Sequence, residues 1–158
     1  MTASTAIIEE VTINASAQRV FQALTDPRQR VKWWGRKGRF EATHAESDLR
    51  PGGRWSMRGS GAGGRPFCVA GEYRIVDPPH VLAFTWLPDW DTDAIETLVR
   101  LDLHERDGVT TVRLTHSGFT SAGSRERHQG WPEILNRLKQ SAEGFIAERE
   151  QATPLPRS

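Results

Sequence analysis

Apolar and polar residues alternate through the middle of this chain, and apolar residues recur every three or four positions near its end. Ala6 to Ile13 predicts a strand, because Ile7, Ile8, Val11 and Ile13 are β-branched and the run stops at Asn14 and Ser16, residues that favour turns and helix caps. Ser16 then caps a short helix through Thr25, with Val20, Phe21 and Leu24 at helical spacing. Asp26-Pro27 stops that helix and starts another, since proline lacks an amide hydrogen that a first turn does not use. The second helix carries Val31, Trp33 and Trp34 before Gly35. Neighbours on a helix point about 100° apart, so at most one of the two tryptophans is expected to be fully buried in the same place.

From Phe40 to Gly118 the pattern is one of strands and turns. Turn clusters at Arg50-Pro51-Gly52-Gly53, Gly59 to Gly64, Asp77-Pro78-Pro79 and Asp107-Gly108 separate the runs Arg54 to Arg58, Phe67 to Val76, Val81 to Leu87, Ile95 to Arg106 and Val109 to His116. Strict alternation in Phe67, Val69, Gly71, Tyr73 and Ile75, in Leu82, Phe84 and Trp86, in Val99, Leu101 and Leu103, and in Val112, Leu114 and His116 makes one face of an antiparallel sheet apolar. Ser121 to Glu150 reads as helix, with Trp131, Leu135, Leu138, Ala142 and Phe145 on one side and Arg, Glu and Lys on the other. Pro132 predicts a helix start or a kink between His128 and Pro132. Residues 1–150 are thus expected to form one domain, and Gln151 to Ser158, with Pro154 and Pro156, a disordered tail.

Composition narrows the partners. The chain has 158 residues, enough for one core. Hydrophobic residues make up 37% and charged residues 26%, a balance that favours a folded, soluble chain. A net charge of +1 and a pI near 8.0 lack the basic excess of a nucleic-acid binder. No stretch approaches the roughly 20 apolar residues of a membrane span. Cys68 is the single cysteine, so no intrachain disulfide forms, and Met1 to Glu10 shows no secretion pattern; a cytoplasmic location is expected, and Asn14-Ala15-Ser16 is then a chance match to a glycosylation acceptor.

The order strand, two short helices, six strands, long helix resembles the START-like (SRPBCC, helix-grip) superfamily, in the branch homologous to the C-terminal domain of activators of the heat-shock-protein-90 ATPase. The resemblance is carried by Ala23-Leu24-Thr25-Asp26-Pro27 followed by Trp33-Trp34, by Pro51-Gly52-Gly53, by Gly71 leading to Asp77-Pro78-Pro79-His80-Val81-Leu82-Ala83-Phe84-Thr85-Trp86, by Thr115-His116-Ser117-Gly118-Phe119, and by Gly130-Trp131 with Leu135 and Leu138. It implies an α+β helix-grip fold, a curved antiparallel β-sheet wrapped around a long C-terminal helix with two short helices after the first strand. Domains of this fold carry ligands, cyclise substrates or assist chaperones, so the fold alone does not choose among them. The resemblance also implies a stress-response role, while the chain has no room for the separate N-terminal domain of full-length chaperone activators, which weighs against a chaperone partner.

A straight helix and a curved sheet are expected to leave a cavity between them, of the mostly apolar kind that holds small molecules. The residues expected to line it are Trp33, Trp34, Phe40, Trp55, Phe67, Val69, Tyr73, Phe84, Trp86, Leu101, Leu114, His116, Trp131 and Leu135. The six tryptophans suit a flat apolar ligand, with ordinary core packing as the plainer alternative. His116 is a candidate polar anchor or general base, and Tyr73 a candidate hydroxyl donor or acid, each with packing or a neighbouring carbonyl as its alternative duty. Cys68 faces the opposite side from Tyr73 and has no base nearby in sequence, so it reads as a small hydrophobe.

Gly59 to Gly64 formally fits a dinucleotide fingerprint, but it joins two strands where phosphate cradling needs a helix N-terminus; it reads as a hairpin loop that at most covers the cavity. Asp89, Asp91, Asp93 and Glu96 around Trp90 lack the EF-hand pattern and read as a solvated loop, as do Arg36, Lys37 and Arg39. His44, His80, His104 and His128 are scattered, so neither a metal nor any other cofactor is expected. The pattern leaves open whether the domain dimerises and whether the cavity catalyses a cyclase- or hydrolase-like reaction.

Overall fold

The structure, a computed structural model, describes residues 6–36, 40–91 and 94–152, with the side chains of 36, 40, 62 and 145–152 outside the description. Strand β1 (Ile7–Ile13) leads into helices α1 (Ala17–Thr25) and α2 (Pro27–Trp33). Strands β2 (Gly35–Arg36), β3 (Phe40–Ser47), β4 (Arg54–Gly61), β5 (Pro66–Asp77), β6 (Val81–Pro88), β7 (Thr97–Arg106) and β8 (Val109–Ser117) follow, and helices α3 (Ala122–Glu126) and α4 (Trp131–Ala152) close the chain. The strands form one antiparallel sheet in the order β1-β8-β7-β6-β5-β4-β3-β2. This is the α+β helix-grip arrangement that the alternation predicts. The additional strand is the two-residue β2, too short to leave an alternation signal.

Local chemistry explains the boundaries. The Ser16 side chain accepts from the Arg19 amide at the start of α1, and the Asp26 side chain accepts from the Arg28 amide where Pro27 opens α2. The long C-terminal run divides as Pro132 requires: α3 ends at Glu126, and α4 begins at Trp131 with proline in its first turn, where no intrahelical amide bond is lost. Helix α4 runs through 151 and 152, two residues into the expected tail, and 153–158 lie outside the described residues.

The apolar faces meet in one core. Val99, Leu101, Leu103, Val112 and Leu114 from the sheet, Val20, Phe21 and Leu24 from α1, and Ile134, Leu135, Leu138 and Ala142 from α4 are all buried together. Gly71 leaves room for Trp55 to reach the backbone of β6. A Cβ on Gly71 would sit 1.8 Å from the Thr85 carbonyl oxygen and 2.7 Å from Trp55 Nε1, in the space through which the Trp55 indole donates to that same carbonyl. Because the clash is with backbone, Gly71→Ala is expected to cost about 3 kcal/mol, the upper end of overpacking penalties, read as a lower urea midpoint at unchanged slope.

Candidate functional site

The expected lining residues with described side chains are all buried. Only Phe40 escapes assessment: its backbone pairs with Arg36 and Gly61, and its side chain lies outside the description. Trp33 and Trp34 are both buried, but in different places: Trp33 donates to the Ala23 carbonyl of α1, and Trp34 packs against Trp86 and Trp131. The reason is that α2 ends at Trp33, while Trp34 has extended dihedrals (φ −74°, ψ 120°), so helical geometry does not set the angle between them. Their rings lie 5.1 Å apart.

Two groups of aromatic side chains occupy the concave face. At the N-terminal end of α4, the Trp34, Trp86 and Trp131 rings are in mutual contact, with centroids 5.3–5.7 Å apart. His116 packs on Trp86 and Trp131. Toward β5, Trp55 meets Phe84, and Phe84 meets Tyr73. Tyr73, Phe84, Val99 and His116 follow one another across β5, β6, β7 and β8 in register. At strand spacing that row puts Tyr73 and His116 roughly 14 Å apart, so they do not act on one bond together.

His116 ends a closed chain of hydrogen bonds. Trp131 Nε1–H donates to His116 Nδ1 (3.1 Å). An indole nitrogen only donates, so Nδ1 must be the unprotonated nitrogen and Nε2 carries the hydrogen. That Nε2–H donates to Thr97 Oγ1 (2.8 Å), whose hydroxyl donates in turn to the Trp86 carbonyl (3.2 Å). Burial, with a smaller contribution from His128, pushes the His116 pKa down to about 3. A neutral imidazole with both nitrogens occupied has no lone pair to offer as a base.

The five histidines are not as scattered as their spacing suggests. His128, which follows α3, lies with its ring 5.2 Å from that of His116 and 5.2 Å from that of Phe119. Its Nδ1–H donates to the Ser124 carbonyl (2.8 Å). Burial is the main cause that lowers its pKa, so Nε2 is an unprotonated acceptor, and that buried atom has no hydrogen-bond partner. The Trp86 Nε1–H donor is likewise buried and unpartnered. The two rings are neighbours, 6.2 Å apart, and Trp90, about a third exposed, covers both from the solvent side. Sequence offered no signal for His128 beyond its place three residues before Trp131.

The acidic loop is not wholly solvated. Asp91 is buried because its carboxylate accepts from Ser124 Oγ (2.6 Å) and Arg127 Nε (2.9 Å), which ties the β6–β7 connection to α3 beside His128. Asp89 accepts from the Cys68 amide and Glu96 approaches Arg74, while Asp93 lies outside the described residues, as do Lys37 and Arg39 of the basic segment. Arg30 is buried too. It donates to the Leu24 carbonyl at the C-terminal end of α1 and to the Tyr73 hydroxyl, which also bonds Ser47 Oγ, and its guanidinium lies over Trp55. Among the described residues no cluster of three or more His, Cys, Asp or Glu could hold a metal ion, and no helix is long and apolar enough to cross a membrane.

Because His116 stays neutral when folded but takes a proton near pH 6.5 when unfolded, its burial contributes stability that is fully present above pH 6.5 and is lost progressively as pH falls toward 3. The loss approaches ~1.4 kcal/mol per pH unit for one proton. His116→Gln is expected to flatten the dependence by about one proton between pH 6.5 and 5, measured by urea unfolding across that range; an unchanged slope would contradict the assignment.

Comparison with known proteins agrees with this geometry. Residues 14–143 match the family described as Activator of Hsp90 ATPase homolog 1-like protein. None of the curated proteins compared with the chain matches it. Among solved structures, a Rhodobacter sphaeroides protein aligns over 91% of this chain and 93% of its own at 22% identity and TM-score 0.77. CalU16 from Micromonospora echinospora aligns over 94% and 83% at 24% identity and TM-score 0.67. DynU16, from the dynemicin biosynthetic locus, aligns over 87% of this chain and 47% of its own at 23% identity and TM-score 0.69. These likenesses share the curled sheet and long helix, and with a family match that covers most of its length the chain belongs to the Activator of Hsp90 ATPase homolog 1-like family.

Proposed function

We propose that this domain binds a small apolar or aromatic molecule between the concave sheet face and the first turns of α4, with Trp86 Nε1–H and His128 Nε2 as its polar anchors. The observation that carries the reading is the pair of unsatisfied atoms. A buried donor or acceptor without a partner costs about 1–3 kcal/mol, and here a donor and an acceptor on neighbouring rings are both left open. The rest of the surrounding network, from Trp131 through His116 and Thr97, is complete. A ligand with one acceptor and one donor on a flat body would satisfy both.

The indole rings that touch across this space are compatible with such a guest, because an aromatic contact contributes about 0.5–1.5 kcal/mol whichever ring supplies it. A flat ligand can therefore replace a ring–ring contact in kind. The half-exposed Trp90 marks the side from which it would enter. Expected lining residues from Trp34, Trp86 and His116 to Trp131 and Leu135 belong to this site; Tyr73, held by Arg30 and Ser47, belongs to its far end. The neutral, saturated His116 disfavours acid–base catalysis inside it.

Titration with aromatic carbonyl compounds and phenols, followed by tryptophan fluorescence and melting temperature, is expected to give saturable quenching with a matching rise in melting temperature. Native mass spectrometry of freshly purified protein is expected to show a bound organic molecule. Trp86→Phe keeps a ring but removes the unsatisfied N–H. It is expected to leave the free protein as stable or up to about 1 kcal/mol more stable, while weakening the ligand about tenfold. Equal affinity in the variant, or a library that neither quenches nor stabilises the parent protein, would overturn the reading.

A further inference from the structure

Outside the aromatic region, the groove between α2 and α4 has a chemistry of its own. It is an open cavity of about 330 Å³, at the small end of sites for small molecules, lined by Gln29, Lys32 and Trp33 from α2 and by Arg137, Gln140, Ser141 and Gly144 from α4. Two of these side chains are cations, three are neutral hydrogen-bonding groups, and none is a carboxylate. Asp26, at the start of α2, is not a lining residue but touches one: its carboxylate accepts from the Arg28 amide, lies 3.6 Å from the Arg28 guanidinium, and accepts from Gln29 Nε2 at 3.4 Å. Lys139 and Glu143, on the same helix, pair with each other and with Thr12 and Asn14 of the β1 edge.

Arg137 lines this groove, and its Nη1 is buried and has no hydrogen-bond partner. A basic side chain on an ordinary surface turns its nitrogens to water; a guanidinium nitrogen removed from water without an acceptor is costly. We infer that the α2–α4 groove is a binding site for a small molecule bearing an oxyanion, a phosphate or a carboxylate, which accepts from the Arg137 guanidinium and from the Lys32 ammonium. A planar guanidinium beside a mobile ammonium is a donor set suited to such groups. Gln140 and Ser141, on the same face of α4, supply further donors at the rim. The site is distinct from the aromatic one and does not depend on it.

Gly144 gives the groove its depth, since a Cβ there would meet nothing within 4 Å. It also provides a variant that fills the groove without altering charge. The test uses the full chain with inorganic phosphate, phenyl phosphate and benzoate, each against sodium chloride at matched ionic strength, read by isothermal titration and by amide chemical shifts. Phenyl phosphate or benzoate is expected to bind saturably and to shift amides of 29–33 and 137–144. Which of the two binds tighter decides between phosphate and carboxylate, and inorganic phosphate alone reports the bare anion. Lys32→Gln, at an exposed position, and Arg137→Gln are each expected to weaken binding about tenfold, the effect of one lost charge-assisted bond. Gly144→Leu, which replaces a glycine in a helix and is expected to be at least as stable, is expected to abolish it. Binding that survives Gly144→Leu, shifts no different from those in sodium chloride, or equal affinity in Lys32→Gln and the parent would each overturn the site.

Discussion

The hydrogen bond from Trp131 Nε1 to His116 Nδ1 organises the concave side of this molecule. It joins the first residue of α4 to the penultimate residue of β8, and through His116 Nε2 and Thr97 it continues to the backbone of β6. Helix and sheet are therefore pinned by a directional contact at one end, where apolar packing alone would let the helix slide. The bond also settles the state of the imidazole. With a donor-only indole on one nitrogen, a proton on that nitrogen would lose the bond and place a charge in a dry interior, and both effects oppose protonation.

That arrangement separates the two buried histidines by role. His116 is consumed by structure, since each of its nitrogens has a partner. His128 is half used: its Nδ1 closes the end of α3, and its buried Nε2, on a ring 6.2 Å from that of Trp86, has no hydrogen-bond partner. The buried Asp91, held by Ser124 and Arg127, fixes the loop that carries Trp90 against the same spot. A rigid frame around an unsatisfied donor and acceptor is what a recognition site requires, because the ordering cost is met on folding and not on binding.

Most of the fold was legible because period-two alternation and turn residues report burial directly: the rows through Phe84, Val99 and Leu101 put the inward side chains on the correct face. Pro132 marked the division between α3 and α4 for an equally local reason. The candidate site was legible only as a roll of apolar residues. What sequence could not show was contact between segments far apart in the chain, such as Asp91 with Arg127 or His116 with His128, since neither pair has a spacing that any regular element imposes. Trp33 and Trp34 are both buried because the helix stops one residue early, which takes the two indoles to different regions.

The same dipeptide explains how two regions of different chemistry sit side by side without merging. Trp33, still helical, donates to the Ala23 carbonyl of α1 and forms a wall of the α2–α4 groove. Trp34, already extended, stacks on Trp86 and meets Trp131 edge-to-face inside the sheet. Consecutive residues thus face a groove with two cations and an interior of aromatic rings, with their own tilted indoles between them. Charge on the groove side stays in reach of water while the interior keeps the low polarity that leaves His116 neutral. A single helix ending at Trp33 therefore provides both a wall of the groove and a ring of the aromatic cluster.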